Sequence, residues 1–212
     1  KEVWRYETPD TGSIQTTPLI IDGTMYVVTA RQKVVALDAA TGKQKWSFDS
    51  GEGTGAAVRG LTWWKEGSER RLFSAVASTI YAINPADGTV ITSFGNRGRI
   101  DLRENLRGPP ESNAYHATSP AVVYKDLLIL GTRVSEGPGA SAPGHIRAYD
   151  VRTGKIRWVF HTIPHPGETG YDTWPKDAWT RIGGANAWSG VSVDEKRGLV
   201  FLPTSSPSPD FF

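Results

Sequence analysis

The 212-residue sequence predicts an all-β chain of four-stranded antiparallel blades, amounting to about half of a β-propeller. Three observations predict it. An eleven-residue pattern recurs: ALDAATGKQKW at 36–46 and AYDVRTGKIRW at 148–158 share Ala-x-Asp-x-x-Thr-Gly-Lys-x-x-Trp. Each copy follows short β-branched and aromatic runs separated by turn residues, the pattern of successive strands. Connections alternate along each repeat, one short and the next long. A repeat of this period decides the architecture before local propensity does.

The elements follow in order. Residues 1–7 place Trp4 and Tyr6 where later copies have Trp46 and Phe48, so they are expected to form the outer strand of a preceding blade. Residues 16–48 read as a whole blade: TPLII, an Asp22-Gly23 turn, TMYVVT, KVVALD, a Thr41-Gly42 turn and KQKWSF. Residues 58–94 read as the next, through VRGLTWW, RLFSAV, TIYAIN and TVITSF. Its copy of the pattern is degraded, with Asn84 for the Asp, Asp87 for the Thr and Thr92 for the Trp. Residues 118–160 form a third blade, ending in HIRAYD and KIRWVF. Residues 187–204 supply the first two strands of a further one. That inventory leaves blade faces open, so the chain is expected to be part of a longer protein or to be completed by another chain.

Composition narrows the function. Apolar residues make up 38%, with 23 Gly and 14 Pro, which fits a globular chain rich in turns. The formal charge of +2 supplies no field for nucleic acid or an anionic membrane. The absence of Cys excludes a disulfide framework, a thiolate metal site and a Cys nucleophile. No apolar run approaches a bilayer span, and no signal peptide opens the chain.

Loop lengths indicate where chemistry is expected. In an antiparallel blade, first-to-second and third-to-fourth turns share one face, and here they are all short. The long segments 49–57, 95–117, 133–144 and 161–186 fall on the other face and carry Trp, His, Arg and Asn. Loops of that length point to function on their face, near the propeller axis. His116 and Thr118, in NAYHATSP, open the third blade's inner strand and are placed to reach that axis. His145, His161 and His165 show no spacing that announces a metal. The Asp, Thr, Gly and Trp of the repeated pattern are read as scaffold, shaping a turn and locking blades together.

The repeated pattern resembles the tryptophan-docking motif of the quinoprotein dehydrogenases, eight-bladed propellers that use pyrroloquinoline quinone (PQQ). The likeness runs through nearly the whole chain and is greatest to the branch of membrane-bound glucose dehydrogenases. VRGLTWW at 58–64 is similar to the segment whose Arg lies against the cofactor, which implies that Arg59 binds PQQ; a guanidinium fork suits its carboxylates. SFGNRGRIDL at 93–102 resembles a marker of that branch. GGANAW at 183–188 is similar to the segment whose Trp forms the floor under the PQQ ring, which implies that role for Trp188. By position, the resemblance makes Glu136 a calcium ligand. It puts Ser206 where alcohol dehydrogenases of the family have an Asn ligand, a departure that weakens that style of calcium site. The vicinal cysteines of the methanol and ethanol enzymes are absent, and Gly55 replaces a His of the glucose enzymes, so substrate preference stays open.

The resemblance implies oxidation of a sugar or alcohol by hydride transfer to PQQ, with Ca2+, in the periplasm, and a quinone or cytochrome as electron acceptor. The catalytic base is an Asp expected outside these residues, so the segment alone is expected to be inactive. Two alternatives keep the fold. One is a non-catalytic propeller with similar repeats, serving as an interaction or outer-membrane assembly scaffold. The other is a generic propeller interaction module.

Overall fold

The computed structural model describes residues 1–107, 114–136 and 141–209. Three four-stranded sheets dominate, each an antiparallel meander in chain order. The first holds β1 (Leu19–Ile21), β2 (Thr24–Val28), β3 (Val34–Asp38) and β4 (Gln44–Phe48). The second holds β5 (Thr62–Glu66), β6 (Glu69–Val76), β7 (Thr79–Ile83) and β8 (Arg99–Asp101). The third holds β9 (Val122–Tyr124), β10 (Leu127–Leu130), β11 (Ile146–Asp150) and β12 (Ile156–Phe160). After the four-residue helix α1 (Ala178–Arg181), β13 (Gly183–Gly184) pairs with β16 (Pro207–Ser208). Between them, β14 (Ser192–Asp194) and β15 (Leu199–Phe201) begin a further sheet.

The core lies between sheets, where facing sheets bury side chains against one another. Tyr26, Val28, Val34 and Ala36 of the first sheet pack with Leu72, Val76, Tyr81 and Ile83 of the second. Phe73, Ile80 and Phe94 in turn pack with Leu128, Leu130 and Tyr149 of the third. Ile129, Ile146 and Ala148 carry the stacking on to Val200 and Leu202. Inner positions of a stack are therefore apolar on both sides, and β7 (TIYAI) is buried along its whole length instead of alternating. First strands of successive sheets touch, β5 with β9 and β9 with β14, which places them together at the inner edge.

The repeated pattern builds the same turn each time. Asp38 Oδ1 accepts from the Ala40 and Thr41 N–H groups and the Thr41 hydroxyl, while the Gly42 N–H donates to the Asp38 carbonyl. Asp150 repeats this with Arg152, Thr153 and Gly154. Each turn glycine has positive φ and is roofed by a side chain from the chain segment before it, Trp4 over Gly42 and Ile100 over Gly154. Trp46 Nε1 donates to the Pro85 carbonyl at 3.0 Å, and a Cβ on Gly88 would meet the Trp46 ring at 2.7 Å. Trp4 treats the next-earlier turn alike, donating to the Ala39 carbonyl and covering Gly42.

Residues 1–7 are attached to the first sheet by Trp4 and by the Tyr6 hydroxyl, which donates to Gln44 Oε1 at 2.7 Å. One expectation about edges needs correction: the second blade's outer edge lies beyond 89–94. Val90 makes one bridge to Ile83, the chain turns through Thr92 to Gly98, and the edge resumes as β8 against β7. The cause is local: Thr92 has no ring with which to cover the next turn, and Gly95 and Gly98 permit the excursion with positive φ. Ile100 then roofs Gly154 in place of a Trp.

Candidate functional site

The residue just ahead of each sheet's first strand joins a lateral chain of hydrogen bonds. Thr17 N–H donates to the Arg59 carbonyl at 2.9 Å, and Arg59 N–H donates to the Thr118 carbonyl at 2.9 Å. The Thr118 and Ser119 hydroxyls both donate to the Trp188 carbonyl, at 3.1 and 2.8 Å. Equivalent points of successive sheets are thereby stitched together, and three expected site residues, Arg59, Thr118 and Trp188, become neighbours.

Their geometry suits a flat anion. The Arg59 guanidinium carbon lies 5.3 Å from the centroid of the Trp188 ring. One guanidinium nitrogen donates to the Thr118 carbonyl at 3.3 Å, and Arg59 forms no ion pair among the described residues. Most of its N–H donors therefore point at no protein acceptor. Trp188 leaves 38% of its surface exposed, in contrast to the buried tryptophans Trp46 and Trp64. Its backbone is held firmly: the adjoining Asn186 is fully buried, donates to the Thr132 carbonyl at 2.8 Å and accepts from the Ser205 hydroxyl at 2.9 Å. An open cleft of about 390 Å³ borders this stretch, and Arg59 is the sole ionisable group among its lining residues. A larger groove of about 830 Å³ lies among the short turns, lined by Asp22, Tyr26, Trp63 and Arg70, and contains none of the expected site residues.

The other candidates do not join this group. His116 is bridged to Arg133 through both backbone groups, at 3.0 and 2.7 Å, and its buried Nδ1 has no hydrogen-bond partner among the described residues. Among the described residues it makes no hydrogen bond with Arg59 or Trp188. Glu136 is half-buried and makes no ion pair among the described residues; the loop beyond it, 137–140, lies outside them. Ser206 is exposed, and its carbonyl accepts from the Ala185 N–H at 2.8 Å. Glu136 carries a carboxylate of the kind a hard cation takes, and Ser206 an exposed hydroxyl.

A second polar cluster was not expected. His145, His161 and His165 each bring a ring nitrogen within 4.8 Å of the others. The register explains it. Ile146 of β11 pairs with Phe160 of β12, so His145 and His161 sit at the next rung. A turn then returns His165 onto His161, with ring centroids 3.7 Å apart and planes 10° from parallel. Burial first, then the charges of His161 and Arg147, pushes His145 down to about 3. The signal available in sequence was the H-x3-H of His161 and His165; His145 becomes visible only through strand pairing.

Comparison with known proteins places these features in context. The family model described as the β-propeller domain of PQQ glucose/ethanol/alcohol dehydrogenases matches residues 1–212. A quinoprotein glucose dehydrogenase of Acinetobacter calcoaceticus is 29% identical over 93% of this chain and 27% of its own length. The dehydrogenase subunit of a quinone-dependent alcohol dehydrogenase from Acetobacter aceti is 32% identical over 96% of the chain and 29% of its own. Among solved structures, a quinohemoprotein alcohol dehydrogenase of Pseudomonas putida superposes with a TM-score of 0.73 at 25% identity, covering 92% of this chain and 29% of that one. The chain thus spans less than a third of the length of these relatives.

Proposed function

Because the chain belongs to the PQQ glucose/ethanol/alcohol dehydrogenase β-propeller family, we propose that it supplies part of the cofactor site of a PQQ-dependent enzyme oxidising a sugar or an alcohol. The observation that carries this reading is the unpaired Arg59 guanidinium beside the exposed face of Trp188. PQQ is planar and carries three carboxylates. Trp188 offers its ring a flat apolar surface, and Arg59 offers its carboxylates or quinone oxygen a charge-assisted donor. Thr118 holds both: its carbonyl takes the Arg59 bonds and its hydroxyl holds the Trp188 backbone. His116 is proposed for the same site from its position two residues before Thr118, although among the described residues it makes no hydrogen bond with Arg59 or Trp188.

When bound, PQQ would supply an electrophilic carbonyl that takes hydride from the substrate. The residues of this chain would bind and orient it and exclude water from one face. Calcium is proposed with Glu136 and Ser206 among its ligands, Ser206 with the weaker claim because it stands where the family's alcohol dehydrogenases have an Asn. The periplasm, a quinone or cytochrome acceptor and blade locking by the tryptophan-docking pattern belong to the same reading.

The test is titration of the full-length protein with PQQ, followed by absorbance and dye reduction. Trp188→Ala should weaken PQQ binding by at least about tenfold through loss of the aromatic surface. Unchanged affinity would exclude Trp188 as the floor. Glu136→Gln in the same assay should raise the Ca2+ concentration needed for activity.

A further inference from the structure

We propose that His145, His161 and His165 form a binding site for one divalent transition-metal ion of the zinc class, with one coordination position left open. The site is separate from the Arg59–Trp188 group and does not depend on the PQQ reading. Three imidazoles suit zinc, copper, nickel or cobalt and are the wrong donors for calcium.

Three features carry the proposal. The first is convergence: one ring nitrogen of each histidine lies within 4.8 Å of the other two. The centre of such a triangle is at most about 2.8 Å from each nitrogen, roughly 0.7 Å beyond a zinc–imidazole bond. Closing that gap requires the stacked His161 and His165 rings to rotate apart so that their in-plane lone pairs converge on the ion. The second is a buried donor without a partner. His145 Nδ1 is sealed from solvent and hydrogen-bonds to nothing in the described chain. Buried polar atoms are seldom left so, and a metal ion would satisfy this one.

The third is the support behind the ring. Glu168 Oε1 lies 2.7 Å from His161 Nδ1, and its Oε2 accepts the His165 N–H at 2.7 Å. A carboxylate on Nδ1 fixes the tautomer, orients the ring and leaves Nε2 free to ligate, the usual backing of a metal-bound histidine. Glu168 also brings negative charge to a pocket near which Arg107 and Arg147 stand. The loop is itself a small folded unit: Ile163, Ala178 and Ala185 pack with Trp174 and Ile182. Arg107 ties it down through the carbonyls of Trp179, Ser141 and Ile182.

The experiment uses the full-length protein, stripped with chelator, and Co2+ as the probe in the presence of excess Ca2+. The expected result is one equivalent of Co2+ with visible absorption of four- or five-coordinate geometry, and displacement by Zn2+. His165→Ala should lower Co2+ affinity by at least about tenfold, and Glu168→Gln, which keeps the shape of the loop, by about tenfold or more. Melting temperature should rise with Co2+ in the parent protein and not in His165→Ala. Absence of stoichiometric Co2+ binding overturns the proposal. So does binding whose affinity and spectrum are unaltered in both variants.

Discussion

Asp150 shows what a single carboxylate does in a turn. Burial pushes its pKa up, but hydrogen bonds from Thr153 and Arg152 and the nearby Arg157 outweigh that, and the net direction is down. A depressed folded-state pKa means that the unfolded chain binds the proton more readily. The stabilisation is therefore present above the ordinary carboxylate value and lost as pH falls through the lower folded one. Asp150→Asn should cost about 1 kcal/mol at neutral pH. The gap between variant and parent, read from denaturant midpoints of the intact protein, should close in acid. An equal gap at pH 7 and pH 3 would assign the cost to shape and not to charge. Asn84 does the corresponding work in the second sheet, accepting the Ala86 N–H at 3.1 Å, so the amide is sterically acceptable. At this scale the site was only partly legible. Arg59 and Trp188 could be named only through the resemblance of VRGLTWW and GGANAW, and Thr118 from its place at the start of a blade; that the three are neighbours comes from the fold. The histidine cluster was not legible, because the 145–161 contact is a rung of a ladder and the 161–165 contact needs a turn set by Glu168.

An element's value in this fold depends on the element it covers. Trp46 projects from β4 onto Gly88, which belongs to the next sheet, so the repeat is a lock between units. Gly88 has φ 78° and no room for a methyl group under the indole; Gly23 has φ 72° and nothing within 4 Å. The two glycines separate backbone strain from crowding. Gly23→Ala should cost about 1 kcal/mol, the left-handed penalty alone. Gly88→Ala adds overpacking against Trp46 and should cost about 2–4 kcal/mol. Equal losses in thermal or denaturant unfolding of the full protein would mean that Trp46 yields without cost. Strand order, the turns and the degraded copy were all legible, since periodicity and turn chemistry are local. The position of β8 was not. Once Thr92 stood where a Trp was due, nothing in TVITSF showed that the edge would be rebuilt eight residues later by Arg99–Asp101, with Ile100 as the cover.

At the scale of the molecule, half a propeller has an inner edge without its opposite wall. Ile156, Val159 and Phe160 of β12 and Leu199 and Phe201 of β15 remain exposed, apolar side chains of the kind a stacked architecture otherwise buries. The cleft beside Arg59 has no wall from the far side of the axis, and its described lining holds no carboxylate or imidazole to take a proton. Alcohol or hemiacetal oxidation requires a base within hydrogen-bond reach of the reacting hydroxyl. The 212-residue chain by itself, supplied with PQQ and Ca2+, should therefore reduce no dye with aldoses or alcohols, even if it retains weak PQQ affinity through Arg59 and Trp188. Measurable turnover would overturn this and require a base among these residues, with His116 and its unpaired Nδ1 the first to substitute. Binding without turnover in the chain, set against turnover in the full-length protein, would divide the work as proposed: cofactor floor and anion clamp on this half, proton transfer on the other.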